Sequence, residues 1–138
     1  MKLTNAIIYD AIAAIQKFEN AKGKTAFVLF RALRKLQEEI KDCDNQKNEL
    51  IKKYGKEENG MIMIPQDDKE ANDKFIKEFT PILFYEVDVD IPQMTEEDFE
   101  GLYNVDAADA NMNDYALIEA LMVKKPESDK KEDTEKSE

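Results

Sequence analysis

Residues 25–55 read TAFVLFRALRKLQEEIKDCDNQKNELIKKYG, and this stretch decides the fold. Its first residue, Thr25, is typical of a helix N-cap, and its last, Gly55, is typical of the position that follows a helix. Between them, eight positions recur at alternating spacings of four and three, the heptad pattern of a helix packed along its whole length. We call these positions the seam: Leu29, Leu33, Leu36, Ile40, Cys43, Lys47, Leu50 and Tyr54.

Lys47 is the one charged residue in the seam. A lysine at the edge of a core can pack its stem on apolar groups while its ammonium group stays in water. A polar residue in a heptad seam can instead fix the register of a helix dimer, which would make the protein a homodimer. The sequence alone leaves both interpretations open.

A second apolar stripe precedes the long helix. The connection at Lys22-Gly23-Lys24 is short, so the two helices are expected to form an antiparallel hairpin with facing apolar stripes. Phe27 and Phe30 lie off the seam and are expected to widen the apolar face near the turn. The stripe of the first helix, for which Thr4 is the candidate N-cap, consists of Ile8, Ala11, Ile12, Ile15 and Phe18.

Two segments have the pattern of strands. Residues 61–64 are a short apolar run between Asn59-Gly60 and Pro65. Residues 85–91 alternate strictly between apolar and acidic side chains, as a strand with one buried face does. Because no other strand is predicted, the two segments are expected to pair as one small antiparallel hairpin.

Further helices complete the fold. One is expected from a cap at Asp67 or Asp68 until Thr80-Pro81 interrupts it. A short helix follows Thr95, and a last one follows Asp106. The predicted fold class is α+β and mostly helical, with a long antiparallel helical hairpin, a small two-stranded antiparallel β-hairpin and additional helices. Residues 1–123 are expected to form a single domain.

Residues 124–138 are charged and polar and contain no aliphatic or aromatic side chain. A segment with nothing to bury does not compensate the entropy cost of ordering. They are therefore expected to form a disordered charged tail.

Acidic residues are concentrated in one third of the chain. The net charge is −11, and residues 78–123 contain 12 Asp or Glu and no Lys or Arg. Such a surface repels nucleic acid and attracts basic protein surfaces. Three interpretations remain: a surface that serves solubility alone, a docking surface for a basic protein, or an imitation of nucleic-acid phosphates that occupies a nucleic-acid-binding channel.

Several classes of chemistry are excluded. The chain has no His, and its only serines, Ser128 and Ser137, lie in the tail, which excludes Ser-His-Asp and Cys-His catalysis and a Cys/His zinc site. The four glycines match no phosphate-binding motif. No enzyme, catalytic residue, cofactor or metal site is predicted. The sequence has no long apolar run and no signal-peptide pattern. It therefore predicts a soluble intracellular protein that does not associate with a membrane.

The candidate contact residues are acidic. The spacing of four of them, Glu86, Asp88, Asp90 and Glu97, imitates a calcium-binding loop, but Ile91 stands where that loop needs glycine. Strand alternation accounts for the acids without a metal, so a divalent-ion site and catalytic carboxylates are kept only as alternatives. The residues predicted to contact a protein partner are Glu86, Asp88, Asp90, Glu96, Glu97, Asp98 and Glu100.

The order of several segments carries a family resemblance. These segments are Met1–Asn5, the helix end Glu49–Gly55, Glu57–Gly60, and Glu86–Pro92 with Thr95–Phe99 just after it. Over about residues 1–103 the chain resembles a family of small uncharacterised proteins from tailed bacteriophages and prophages. The resemblance implies a phage gene product that acts in the cytoplasm of the bacterial host, and it supplies no catalytic residue.

The resemblance also narrows the expected function. Small acidic phage proteins without catalytic residues are often inhibitors of host machinery or defence, such as anti-CRISPR and anti-restriction proteins. The expected partner is a host or phage protein, including a nucleic-acid-binding one, with no direct contact to nucleic acid. The alternative is a virion or assembly accessory protein that self-associates through the long helix.

Overall fold

The computed structural model describes residues 1–123. It confirms the predicted fold class, with a helical hairpin and two small antiparallel sheets. The expected tail, residues 124–138, lies outside the described residues. In chain order the elements are β1 (Lys2–Thr4), α1 (Asn5–Gln16), α2 (Gly23–Tyr54), β2 (Lys56–Glu58), β3 (Met61–Met63), α3 (Lys69–Leu83), β4 (Glu86–Asp88), α4 (Glu96–Glu100), a 3-10 helix (Gly101–Asn104) and α5 (Met112–Met122).

Helix α2 is the long helix that the seam predicts. Its 32 residues span about 48 Å. Every seam position is buried or half-buried, so the heptad interpretation is confirmed. The helix begins at Gly23, two residues before the predicted cap at Thr25. Lys47 is half-buried with its ammonium nitrogen 5.8 Å from the ring centroid of Tyr9, which fits a lysine at the edge of a core.

The described residues group into two compact units. Unit 1 consists of Met1–Ala13 and Arg34–Asp90. Unit 2 consists of Ala14–Leu33 and the described residues from Ile91 onward. Helices α1 and α2 each contribute a segment to both units. Whether residues 1–123 behave as a single domain stays a prediction.

Each unit buries its own set of apolar side chains. In unit 1 these are Leu3, Ile8, Ala11, Leu36, Ile40, Cys43, Phe79 and Val89. In unit 2 they are Ala14, Ile15, Phe18, Leu29, Ala32, Ile91, Met94, Phe99, Leu102, Ile118, Leu121, Met122 and Val123.

The predicted pairing of residues 61–64 with residues 85–91 is wrong. Strand β3 pairs with β2, and β4 pairs with β1. Asn59 and Gly60 explain the first pairing, because both have positive φ, as the two central residues of a tight hairpin turn do. That turn joins β3 to the segment just before it, and the loop-closure cost of a local pairing is small. The second pairing brings Leu3 opposite Val87.

Two helix ends also differ from the prediction. Helix α3 continues through Pro81 to Leu83, because a proline in the last turn removes only its own backbone donor. After it, the Phe84 amide still donates to the Thr80 carbonyl oxygen at 3.0 Å. Helix α5 is capped by Asn111 instead of Asp106.

The caps predicted at Thr4, Asp68 and Thr95 are confirmed. Each of these side chains accepts a hydrogen bond from a backbone amide in the following turn.

Gly55 follows α2 where no side chain fits. The prediction that Gly55 follows the long helix is confirmed, because α2 ends at Tyr54, although Gly55 does not adopt the left-handed conformation. A Cβ there would lie 2.9 Å from the Met63 carbonyl oxygen and even closer to that of Ile51. We expect Gly55→Ala to lower the free energy of unfolding by about 1–3 kcal/mol, because backbone atoms would have to move.

Urea unfolding followed by circular dichroism measures this change. Gly101→Ala is the matched control, because a Cβ at Gly101 meets no atom within 4 Å and its φ of −59° suits alanine. We expect that variant to be neutral or slightly stabilised. Equal losses in the two variants would contradict the steric role of Gly55.

Candidate protein-binding site

Strand β4 presents an acidic face in unit 1. Its backbone is held by β1 and by the bond from the Val89 amide to the Met1 carbonyl oxygen, 2.8 Å long. Glu86, Asp88 and Asp90 are exposed, whereas Val89 between them is buried. Exposed and more buried positions alternate over residues 86–91 as predicted, but the strand is shorter than the predicted 85–91, because only Glu86–Asp88 pairs with β1 and Asp90 lies beyond it.

Two of these three carboxylates have no cation partner in the described part of the chain. Asp88 accepts a hydrogen bond from the α-amino group of Met1 at 3.0 Å, although its side chain stays 76% exposed. That bond and the positive charge of the amine hold the pKa of Asp88 below its usual range. Within residues 1–123, no ammonium or guanidinium group lies within 4.0 Å of Glu86 or Asp90.

Helix α4 carries the acidic residues of unit 2. Thr95 caps it by accepting the Asp98 amide at 3.1 Å. Glu96, Glu97 and Glu100 are exposed, and no cation of the described chain pairs with them. Each of these three carboxylates is therefore available to a partner.

Asp98 is the predicted contact residue least available to a partner. Its carboxylate lies 3.6 Å from the ammonium nitrogen of Lys24 and is 21% exposed. Its backbone carbonyl accepts the hydroxyl of Thr25 at 3.3 Å. Both contacts join α4 to the start of α2, which is a structural role that the sequence did not indicate.

A cleft in unit 1 was missed by sequence reasoning. It has a volume of about 310 Å³, and one side is formed by α2 with the carboxylates of Glu39 and Asp42. The sequence does contain a pattern that could have indicated this cleft, because residues 39, 42, 43 and 46 follow the i, i+3, i+4, i+7 spacing of one helix face. We call this site the acidic cleft; its lining residues are Asn5, Glu39, Asp42, Cys43, Gln46, Pro81, Ile82, Tyr85 and Val87.

Unit 2 has an apolar groove of about 580 Å³ beside the turn of the helical hairpin. Phe30 lines it and remains 55% exposed, and Phe27 is 60% exposed. Phe30 widens the apolar face near the turn, as predicted, but neither phenylalanine side chain is buried. The guanidinium carbon of Arg31 lies 5.9 Å from the Phe27 ring centroid, within the range of a cation–π contact.

The structure gives no geometric support to the calcium alternative. Among residues 1–123, no three Cys, His, Asp or Glu side chains are placed so that they could hold one metal ion. In the same part of the chain, no helix has the length and apolar character needed to cross a membrane.

Tyr9 joins α1 to α2 within unit 1 by donating its hydroxyl to the carboxylate of Asp44. Burial, together with this bond, raises the pKa of Tyr9 far above its usual value. Beside it, burial raises the pKa of the Cys43 thiol. Cys43 is 3% exposed, and both observations agree with a small buried apolar side chain.

We expect Tyr9→Phe to lower the free energy of unfolding by about 1.5 kcal/mol, because it removes a hydrogen bond to a charged acceptor. The pKa of Tyr9 is higher in the folded chain than in the unfolded chain, where it is about 10. The contribution of Tyr9 to the free energy of unfolding is therefore fully present below about pH 10 and is lost as the pH rises above that value. Absorbance titration should show a tyrosine that ionises only as the chain unfolds, and Tyr9→Phe should remove that phase. Tyr103→Phe is the control, since the Tyr103 ring is 60% exposed. A titration curve unchanged by Tyr9→Phe would contradict this assignment.

Comparisons with protein-family models, curated proteins and solved structures give no match to this chain. The interpretation of its function therefore depends on the geometry of its own residues.

Proposed function

We propose that this protein is a non-enzymatic binding protein that docks a basic partner protein on its acidic surface. One observation carries the proposal: five of the seven predicted contact carboxylates are exposed and have no cation partner among residues 1–123. These five are Glu86, Asp90, Glu96, Glu97 and Glu100.

Unpaired surface carboxylates favour this function for a physical reason. They increase the rate of encounter with a positively charged surface and disfavour acidic partners and nucleic acid. Phe84 and Tyr85 directly precede Glu86 and are 59% and 66% exposed. Exposed aromatic side chains supply the apolar contact area that charges alone lack, and they are enriched among residues that dominate binding energy.

The resemblance to tailed-phage proteins suggests which partner this is. We propose an inhibitor of host machinery or defence, of the anti-CRISPR or anti-restriction type, that acts in the cytoplasm of the bacterial host. Exposed carboxylates without a cation partner in the described chain suit a nucleic-acid-binding protein in particular, because such proteins have basic surfaces.

The alternative function, self-association through the long helix, has less support. It needs seam side chains that a second copy can reach. Leu36 and Ile40 are 1% and 3% exposed within the single chain, so the middle of the seam is already packed. A virion or assembly role would therefore have to use another surface.

Affinity capture from the lysate of a bacterial host tests the proposal. The tag belongs at the C-terminus, because the α-amino group of Met1 contacts Asp88 and β1 begins at Lys2. We expect one host protein to be retained at low salt and released as the ionic strength rises, since salt screens exposed charges. Recovery of the protein alone, or of virion proteins from infected cells, would overturn the proposal.

A further inference from the structure

The geometry points to a binding pocket for an arginine side chain: we propose that the acidic cleft of unit 1 receives one arginine of a basic partner protein. This inference rests on the proposed function, because it names the side chain by which such a partner would be held.

The size of the cleft suits a single side chain. Its volume of about 310 Å³ lies at the lower end of the range of about 300–1,000 Å³ that ligand pockets occupy. A helix or a strand of a partner needs a longer groove. One extended side chain inserted from the partner surface is the occupant that matches this volume.

The walls of the cleft combine two carboxylates with apolar groups. Glu39 and Asp42 are exposed and lie about one turn apart on α2, so both belong to the same wall. No Lys or Arg of the described chain forms an ion pair with either carboxylate. The apolar part, from Ile82 and Val87, suits the methylene stem of a long basic side chain.

Arginine fits these walls better than lysine does. Its planar guanidinium group presents five donors and can bond two carboxylate groups at once. It also stacks on aromatic rings, and the ring of Tyr85, which is 66% exposed, lines the cleft. A lysine ammonium group is a compact, strongly hydrated charge, so it gains less from the ring and from the second carboxylate.

The backbone of the cleft is held mostly by secondary structure, so binding has to order only its exposed side chains. Glu39 and Asp42 lie inside α2, far from its ends. Asn5 is 6% exposed, and its amide donates to the Ile82 carbonyl oxygen at 2.8 Å, which fixes the end of α3 against α1. A preformed pocket avoids the entropy cost of organising a binding site.

Nuclear magnetic resonance of the full ¹⁵N-labelled chain tests the proposal. The probes are N-acetyl-arginine amide, its neutral isostere N-acetyl-citrulline amide, and N-acetyl-lysine amide. We expect saturable shifts of backbone amides at residues 42–46 and 82–87 with the arginine probe, and about tenfold weaker binding of the other two. Equal binding of citrulline or lysine, or no saturable shift in the cleft, would overturn the assignment.

A double variant separates the cleft from the general charge of the protein. We expect Glu39→Gln with Asp42→Asn to weaken the arginine probe about tenfold. The matched control, Asp10→Asn with Glu57→Gln, makes the same change in net charge at exposed positions outside the cleft and should bind as the wild type does. Equal weakening in both would overturn the proposal.

Failure of this inference is distinguishable from failure of the proposed function. If a basic host protein is captured but the arginine probe leaves the cleft unchanged, only the pocket is wrong. If the probe binds the cleft but no basic protein is captured, the pocket stands and the docking function is wrong.

Discussion

A chain with Glu86→Lys, Asp90→Lys and Glu100→Lys is expected to lose its protein partner at low salt, with affinity reduced about 100-fold or more. None of the three wild-type carboxylates pairs with a cation of the described chain, and none makes a side-chain hydrogen bond that caps a helix, so their reversal leaves the fold intact. Each reversal removes an attraction and adds a repulsion toward a basic surface. The measurement is the dissociation constant of the captured partner at several salt concentrations.

The control for this prediction carries the same change of charge elsewhere. Asp10→Lys, Glu57→Lys and Asp73→Lys reverse three exposed acids that lie outside residues 78–123. We expect this variant to keep most of its affinity at an ionic strength of about 0.1–0.15 M, where attraction between exposed charges is screened beyond a Debye length of about 8–10 Å. Equal losses in the two triple variants would show that net charge alone governs binding, and the predicted surface would then be wrong.

Leu36→Ala is expected to lower the free energy of unfolding by about 3 kcal/mol, because it leaves a cavity in a packed core. Leu36 is 1% exposed at the centre of the seam. Leu36→Asp is expected to abolish cooperative folding, since it would bury a charge without a partner. Urea unfolding followed by circular dichroism measures both variants, with Gln37→Ala, at an exposed position of the same helix, as the control.

The same variants decide between the two functional hypotheses. If the long helix were a self-association surface, the Leu36→Asp variant would stay folded, and light scattering would give it a lower molecular mass than the wild-type oligomer. Burial of Leu36 inside the single chain predicts an unfolded protein instead. A folded and dissociated Leu36→Asp variant would contradict the packing described here.

The long-range parts of the fold are the parts that the sequence conceals. The seam could be predicted because its period repeats from Leu29 to Tyr54 within one helix. By contrast, β1 has three residues and no alternation long enough to detect, although it is the partner of β4. Pro81 was misinterpreted because the general preference of proline against helices outweighed the particular neighbours of this residue.

The candidate site shows the same limit. The alternation around Asp88 was readable, but its contact with the α-amino group of Met1 spans 87 positions of the chain. The link between Thr25 and Asp98 spans 73 positions. The acidic cleft combines α2 with α3 and β4, so no single stretch of sequence contains it. Local sequence pattern therefore predicts which residues are exposed, and tertiary structure decides which of these residues remain available to bind a partner.

The division of the chain into two units has a consequence for its synthesis on the ribosome. All segments of unit 1 have been translated once residue 90 is made, whereas Ala14–Leu33 must wait for the residues from Ile91 onward. At about 5–20 residues per second, residues 91–123 take about 2–7 s more to be made, and until then the Phe18 ring lacks its contact with Tyr115. A chaperone that protects newly made chains would meet this protein at the turn of its helical hairpin, during that interval.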